Sequence, residues 1–200
     1  MIKIYTDASF YENYNQTDIV GGVGITAIFY DNYGEKIKEE YYAFRYTKED
    51  IMNRMYWRIP NKCLSNSIME FFAVLEAFDT LKIDNEEVRL YCDWDEIERL
   101  INREHECSYM LRREPNLKYM LNKFKRTYYQ NNLIYATHVK GHNKLKYNCY
   151  ADFLSKYWLN AKLAIETILN NPTSESLHEA KMNIYFRERR IRKERRSVIN

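Results

Sequence analysis

Apolar and polar residues alternate through "MIKIYTDAS" at the N-terminus, the period of a half-buried strand. Two further strands follow in "GGVGITAIFYDNYGEKIKEEYYAFRY", joined by a turn at Asn32–Gly34. Residues 46–64 then form a long connection with room for a short helix. From Ser67 to Leu81 the apolar residues Ile68, Phe71, Phe72, Leu75, Phe78 and Leu81 recur at helical spacing. "EVRLYCD" is a short, mostly buried strand, and a helix is expected from about Trp94 to Arg103. Residues 108–130 read as basic and helical with an interruption at Pro115, and "NLIYATHVKG" as another strand. A strong amphipathic helix is expected from Tyr150 to Leu169, then the linker "NNPTSES" and a charged helix over 175–196. The order β-β-β-α-β-α-(α)-β-α implies a mixed α/β sheet covered by helices, which by itself fixes no chemistry.

Composition narrows the setting. The chain has 200 residues, 46% hydrophobic and 16% aromatic, enough for one domain with a substantial core and some excess. No apolar run approaches eighteen residues and no export signal precedes the first strand, so no membrane partner and a cytoplasmic location are expected. Cys63, Cys92, Cys107 and Cys149 are scattered, and free thiols are the default. The net charge of +3 hides an asymmetry: residues 181–200 carry eight basic and two acidic residues, which leaves the first 180 at −3. A basic tail including Arg189, Arg190 and Arg192 suits a nucleic acid or a protein partner, or is simply solvated.

Four acids stand at the ends of the expected elements: Asp7, Glu70, Asp93 and Asp152. Neighbouring first and fourth strands would set Asp7 beside Asp93, and the first turns of two helices could bring Glu70 and Asp152 to the same place. Such a cluster repels itself unless hard cations neutralise it, and oxygen ligands suit Mg²⁺ or Mn²⁺. Each acid also has a structural alternative. Ser67 and Glu70 fit a capping box, Asp93 an N-cap, Asp152 a helix-dipole partner and Asp7 a turn residue. The stretch "ATHVKGHNKLKYNCYAD" raises a zinc alternative through His138 and His142. The preceding strand pattern and the absence of a second compact Cys/His pair argue against it.

"YTDAS", "SNSIMEFFAVLEAF", "LYCDWDEI" and "HVKGHNKLKYNCYADFLSK" occur in an order, and on elements, that resemble the type 1 ribonuclease H family. The likeness covers residues 1–160, expected as the catalytic domain, with 161–200 a helical extension whose linker lies near 170–176. It implies a ribonuclease H-like five-stranded sheet, three antiparallel strands then parallel ones, flanked by helices. It also implies endonucleolytic hydrolysis of the RNA strand of RNA–DNA hybrids by two Mg²⁺ ions, with Mn²⁺ able to substitute, leaving 5′-phosphate and 3′-hydroxyl ends. Two such ions about 3.5–4 Å apart stabilise the attacking and leaving oxygens of an in-line displacement.

Carried over by position, Asp7 bridges both metals, Glu70 and Asp93 complete one site, and Asp152 completes the other. His142 falls on the family's mobile catalytic-loop histidine, with a part in proton movement or product departure. Asn66, Ser9, Asn148 and Lys140 become nucleic-acid contacts, as do Arg189, Arg190 and Arg192 of the tail, with the segment Arg112–Arg126 as a further phosphate holder. The chain departs from the family in its "FYENYNQTDIVGG" loop, in Ser67 within the usual asparagine pair, in Trp94, and in the long 46–64 connection. Two other readings remain: a catalytically silent nucleic-acid-binding module on the same fold, and a related nuclease acting on another duplex.

Overall fold

The computed structural model describes residues 1–10, 19–54, 64–140, 145–156 and 159–199. Three strands lead as a meander: β1 (Ile2–Phe10), β2 (Ile19–Tyr30) and β3 (Lys36–Thr47), each antiparallel to the next. The β2–β3 turn is built by Asp31, whose Oδ1 accepts from the Tyr33 and Glu35 backbone N–H groups at 2.9 Å each. Gly34 takes the left-handed φ of 84° that the turn requires. Strands β4 (Glu87–Cys92) and β5 (Leu133–His138) then add in parallel, giving the order β3-β2-β1-β4-β5. This is the mixed five-stranded sheet that the order of elements implies.

Helices cover both faces. Short α1 (Lys48–Arg54) follows β3, and α2 (Asn66–Leu81) buries nearly its whole length. Next come α3 (Asp95–Asn102), a 3₁₀ turn (Glu104–Cys107), α4 (Ser108–Arg113) and α5 (Pro115–Tyr128). The main core joins α2, α3 and α5 to Ile2, Ile4, Val23, Ile25, Val88 and Leu90 of the sheet. Phe71 and Phe78 meet Phe124 edge-to-face, with centroids at 6.0 and 4.9 Å. Each such buried ring contributes roughly 1.5–3 kcal/mol by removal from water. A second, smaller core lies on the opposite face. It joins Ala43 to α6 (Lys146–Ser155), α7 (Ala161–Asn170) and α8 (Ser174–Ile199) through Tyr150, Phe153, Leu154, Ala164, Ile168 and Leu177.

The single helix expected over 150–169 is two helices. α6 starts earlier, at Lys146, and ends as Lys156 turns extended (φ −67°, ψ 122°). Asn160 then caps α7, its side chain accepting from the Leu163 N–H at 2.8 Å. An amphipathic pattern continues across the break because both helices bury an apolar face in the same small core. The capping asparagine is the local signal for the restart. The charged C-terminal helix forms as expected, beginning at Ser174. Among the described residues no helix is long and apolar enough to cross a membrane, and Cys92, Cys107 and Cys149 are free thiols. The 55–63 part of the long connection lies outside the described residues.

Candidate active site

Parallel pairing of β1 with β4 places the first two acids. Ile2 pairs with Val88 and Thr6 with Cys92, so the next step along both strands sets Asp7 beside Asp93. Glu70 arrives from α2. The capping box expected between Ser67 and Glu70 does not form, because Ser65 caps the helix and accepts from the Ile68 N–H at 3.3 Å. Glu70 therefore starts the second turn, half-buried and turned to the sheet. Asp93 is not an N-cap either, since Trp94 holds that position without a side-chain bond. Oxygens of Asp7, Glu70 and Asp93 all lie within 4.8 Å of one another.

Asp152 lies in the second turn of α6 rather than the first, outside that close set. It reaches the site because α6 presses directly on β2. A Cβ on Gly22 would stand 2.1 Å from the Ser155 carbonyl oxygen, and one on Gly24 2.0 Å from that of Ala151. Gly24 pairs with Asp7 in the sheet, so the missing side chains let α6 settle next to that acid. Both Asp152 oxygens meet ammonium groups: Oδ1 lies 2.6 Å from Lys156 Nζ and Oδ2 2.5 Å from Lys181 Nζ.

The electrostatics follow from this crowding. Burial, then the charge of Asp152 and that of Asp93, push the Asp7 carboxyl up to about 7, against the opposing pull of Lys156 and a Ser155 hydrogen bond. Burial, Asp7 and Asp93 push Glu70 well up. Burial and Asp152 raise Asp93. Burial works in the same direction on Asp152, but Lys156 and Lys181 outweigh it and hold that carboxyl below the usual range.

The donor set fits divalent metal. It is all carboxylate oxygen, its charges are packed closer than they tolerate unneutralised, and the buried Glu70 Oε2 has no hydrogen-bond partner among the described residues. No histidine or cysteine joins the cluster among the described residues, and His142, half of the zinc alternative, lies outside them. His138 is structural, its Nε2 lying 3.1 Å from the Asp93 carbonyl oxygen.

Other expected site residues are dispersed. Ser9 is buried, its hydroxyl donating to the Ser155 carbonyl. Asn148 is buried on α6, its Oδ1 without a partner among the described residues. Asn66 and Lys140 are exposed, as is Arg190 far along α8. His142 and the side chains of Arg189 and Arg192 lie outside the described residues.

Three residues that were not expected also join the site: Ser155, Lys156 and Lys181. Ser155 Oγ donates to Asp7 Oδ2 at 2.5 Å and rests 2.9 Å from the Asp152 carbonyl oxygen. Its place three residues after Asp152, with Lys156 at four, puts both on that acid's helical face, a signal present in the sequence. The Ser155 bond favours the Asp7 carboxylate, so Ser155→Ala is expected to raise the Asp7 pKa further. A carboxyl NMR titration of the metal-free protein reads this directly, and an unchanged midpoint would contradict it.

A carboxylate cluster at the C-terminal edge of adjacent parallel strands, on a sheet of this order, is a donor set suited to hard divalent cations on an α/β fold. The chain belongs to the ribonuclease H family, whose sequence profile matches residues 1–159, and its motif order is that of type 1. LC9-RNase H1, described as a type 1 RNase H with the type 2 active-site motif, shares the fold. It is 16% identical with a TM-score of 0.57, over 88% of this chain and 84% of that one. LC11-RNase H1, isolated from compost and solved in complex with an RNA/DNA hybrid, is 21% identical with a TM-score of 0.48, over 78% and 94% of the two chains. No functionally curated protein matches by sequence.

Proposed function

We propose that this chain hydrolyses the RNA strand of RNA–DNA hybrids by two-metal catalysis, leaving 5′-phosphate and 3′-hydroxyl ends. The observation that carries the proposal is the convergence of Asp7, Glu70 and Asp93 within 4.8 Å, in a chain of the ribonuclease H family. Two Mg²⁺ ions, or Mn²⁺ in their place, would supply charge neutralisation for the attacking and leaving oxygens of an in-line displacement. Asp7, flanked by the charges of Asp93 and Asp152, would be the acid the two cations hold in common. Glu70 and Asp93 would help hold the cation that activates the attacking water, and Asp152 would help hold the other. Ser155 favours the ionised form of Asp7 and orients it through its hydrogen bond. His142, by its place in the "KGH" motif, would assist proton movement or product departure.

Residues 1–160 form the catalytic domain in this reading and 161–200 its helical extension. The hybrid is recognised through its wide minor groove and 2′-hydroxyl groups. The nucleic-acid contacts in this reading are Asn66 on the exposed first turn of α2 and, as the family resemblance implies, Asn148 and Ser9, both buried in the free protein, while Lys140 with Arg189, Arg190 and Arg192 would meet phosphates. These cationic contacts weaken steeply as salt rises.

Incubation of end-labelled RNA·DNA, RNA·RNA and DNA·DNA duplexes with the protein in Mg²⁺, Mn²⁺ or chelator tests the proposal. Cutting confined to the RNA strand of the hybrid, with 5′-phosphate ends and none in chelator, is the expected result. An intact hybrid, or a faster cut in either other duplex, would refute it.

A further inference from the structure

The family match ends at residue 159, yet one group at the site comes from beyond it. On α8, Leu177, Lys181 and Ile184 follow the spacing of a single helix face. Leu177 is buried in the small core and Ile184 packs against it, so that face is turned to α6. Tyr150 fixes the approach to the helix, its hydroxyl donating to the Pro172 carbonyl at 2.7 Å. A lysine between two apolar anchors is out of place for a docking stripe. Its ammonium instead lies 2.5 Å from Asp152 Oδ2, with both side chains under a third exposed.

We infer that α8 completes the active site, with Lys181 a resident counter-ion that a divalent cation must displace from Asp152, so that the C-terminal helix sets how readily the Asp152 side takes metal. This rests on the two-metal reading of the acids. The two lysines on Asp152 are not equivalent. Lys156 follows it one turn along the same helix and its charge is felt by Asp7, Glu70 and Asp93 alike. It belongs to the whole cluster. Lys181 acts on Asp152 and on neighbouring Cys149. It guards one ligand. A cleft of about 500 Å³ opens beside it, walled by Cys149, Asp152 and Phe153 of α6 and by Glu175, His178 and Glu179 of α8. A displaced ammonium therefore has space and acidic company to move into, and its departure leaves Oδ2 exposed to a cation.

Calorimetric Mn²⁺ titration of the intact chain, without nucleic acid, tests this. Lys181→Met keeps the length and helix propensity of the side chain and removes its charge. It is expected to tighten the weaker Mn²⁺ site about fivefold, the scale of a partly exposed ion pair. Lys181→Arg should stay near the native affinity. So should Lys162→Met, which removes a charge at an exposed position paired with Glu166. Unchanged or weaker binding in Lys181→Met overturns the inference, as does equal tightening in Lys162→Met or Lys181→Arg. Asp7→Asn separates the two levels. If that variant binds Mn²⁺ as the native chain does, the acids are not the metal site and both readings fall. If it loses binding while Lys181→Met is unchanged, the counter-ion role alone falls.

Discussion

The Asp7→Asn protein should be more stable than the native chain without metal, while losing its response to metal. Asp7 is buried, and its carboxyl is raised from the ordinary 3.8 to about 7 by burial and by the charges of Asp152 and Asp93. A carboxyl raised in the folded state stabilises fully only below its unfolded pKa. That contribution is lost as pH rises from about 4 through about 7, and above it the native protein carries the whole penalty. Three units correspond to about 4 kcal/mol, so relief on the order of 2–4 kcal/mol is expected at pH 8. For a chain of this size that is roughly 5–15 °C in melting temperature. Thermal melts in chelator from pH 4 to pH 8 should show the gap between the two proteins opening with pH. Saturating Mg²⁺ should then raise the native melting temperature and leave Asp7→Asn nearly where it was, since only the folded native site binds the ion. A variant less stable than native at pH 8 would contradict the account.

Gly24→Ala should be among the most damaging single-methyl changes in the molecule. The added Cβ would stand 2.0 Å from the Ala151 carbonyl oxygen, 2.6 Å from the Ser155 nitrogen and 2.8 Å from the Leu154 Cβ. Two of these are backbone atoms of a packed helix, so α6 itself must lift from β2. Overpacking of this kind costs about 3 kcal/mol or more. The lifted segment brackets Asp152 and carries Ser155, so affinity for the divalent ion should fall with stability. Gly34→Ala makes the comparison. It meets nothing within 4 Å, although its φ of 84° is strained for alanine. It should cost about 1 kcal/mol and leave metal binding alone. Chemical denaturation with Mn²⁺ titration reads both variants, and a Gly24→Ala protein matching native in both would show that the helix–sheet contact does not set the site.

Strand alternation exposed the meander, and the parallel pair followed from the β/α order, so the meeting of Asp7 with Asp93 was legible in the sequence. Glu70 was legible only as a motif. Its local context offered a capping box, and the true cap proved to be Ser65, two residues earlier than the pattern suggested. Asp152 was legible as an acid but not in its setting. Apolar periodicity runs unbroken through 150–169 and hides both the early start of α6 and the break before α7. The role of Gly22 and Gly24 depends on which helix lies over β2, which the spacing within β2 does not encode. Lys181 is the extreme case. Its place between Leu177 and Ile184 marks it as unusual, but its partner lies 29 residues away and is chosen by the docking of α8.

One carboxylate cluster is held here to carry both the metal and the cleavage. The most direct test is the rate at which the folded Asp7→Asn protein cuts the RNA strand of a labelled hybrid at saturating Mg²⁺, beside native protein. A loss of about a thousandfold or more is predicted, because removing this ligand withdraws charge stabilisation from both reacting oxygens. A rate within tenfold of native would contradict the account.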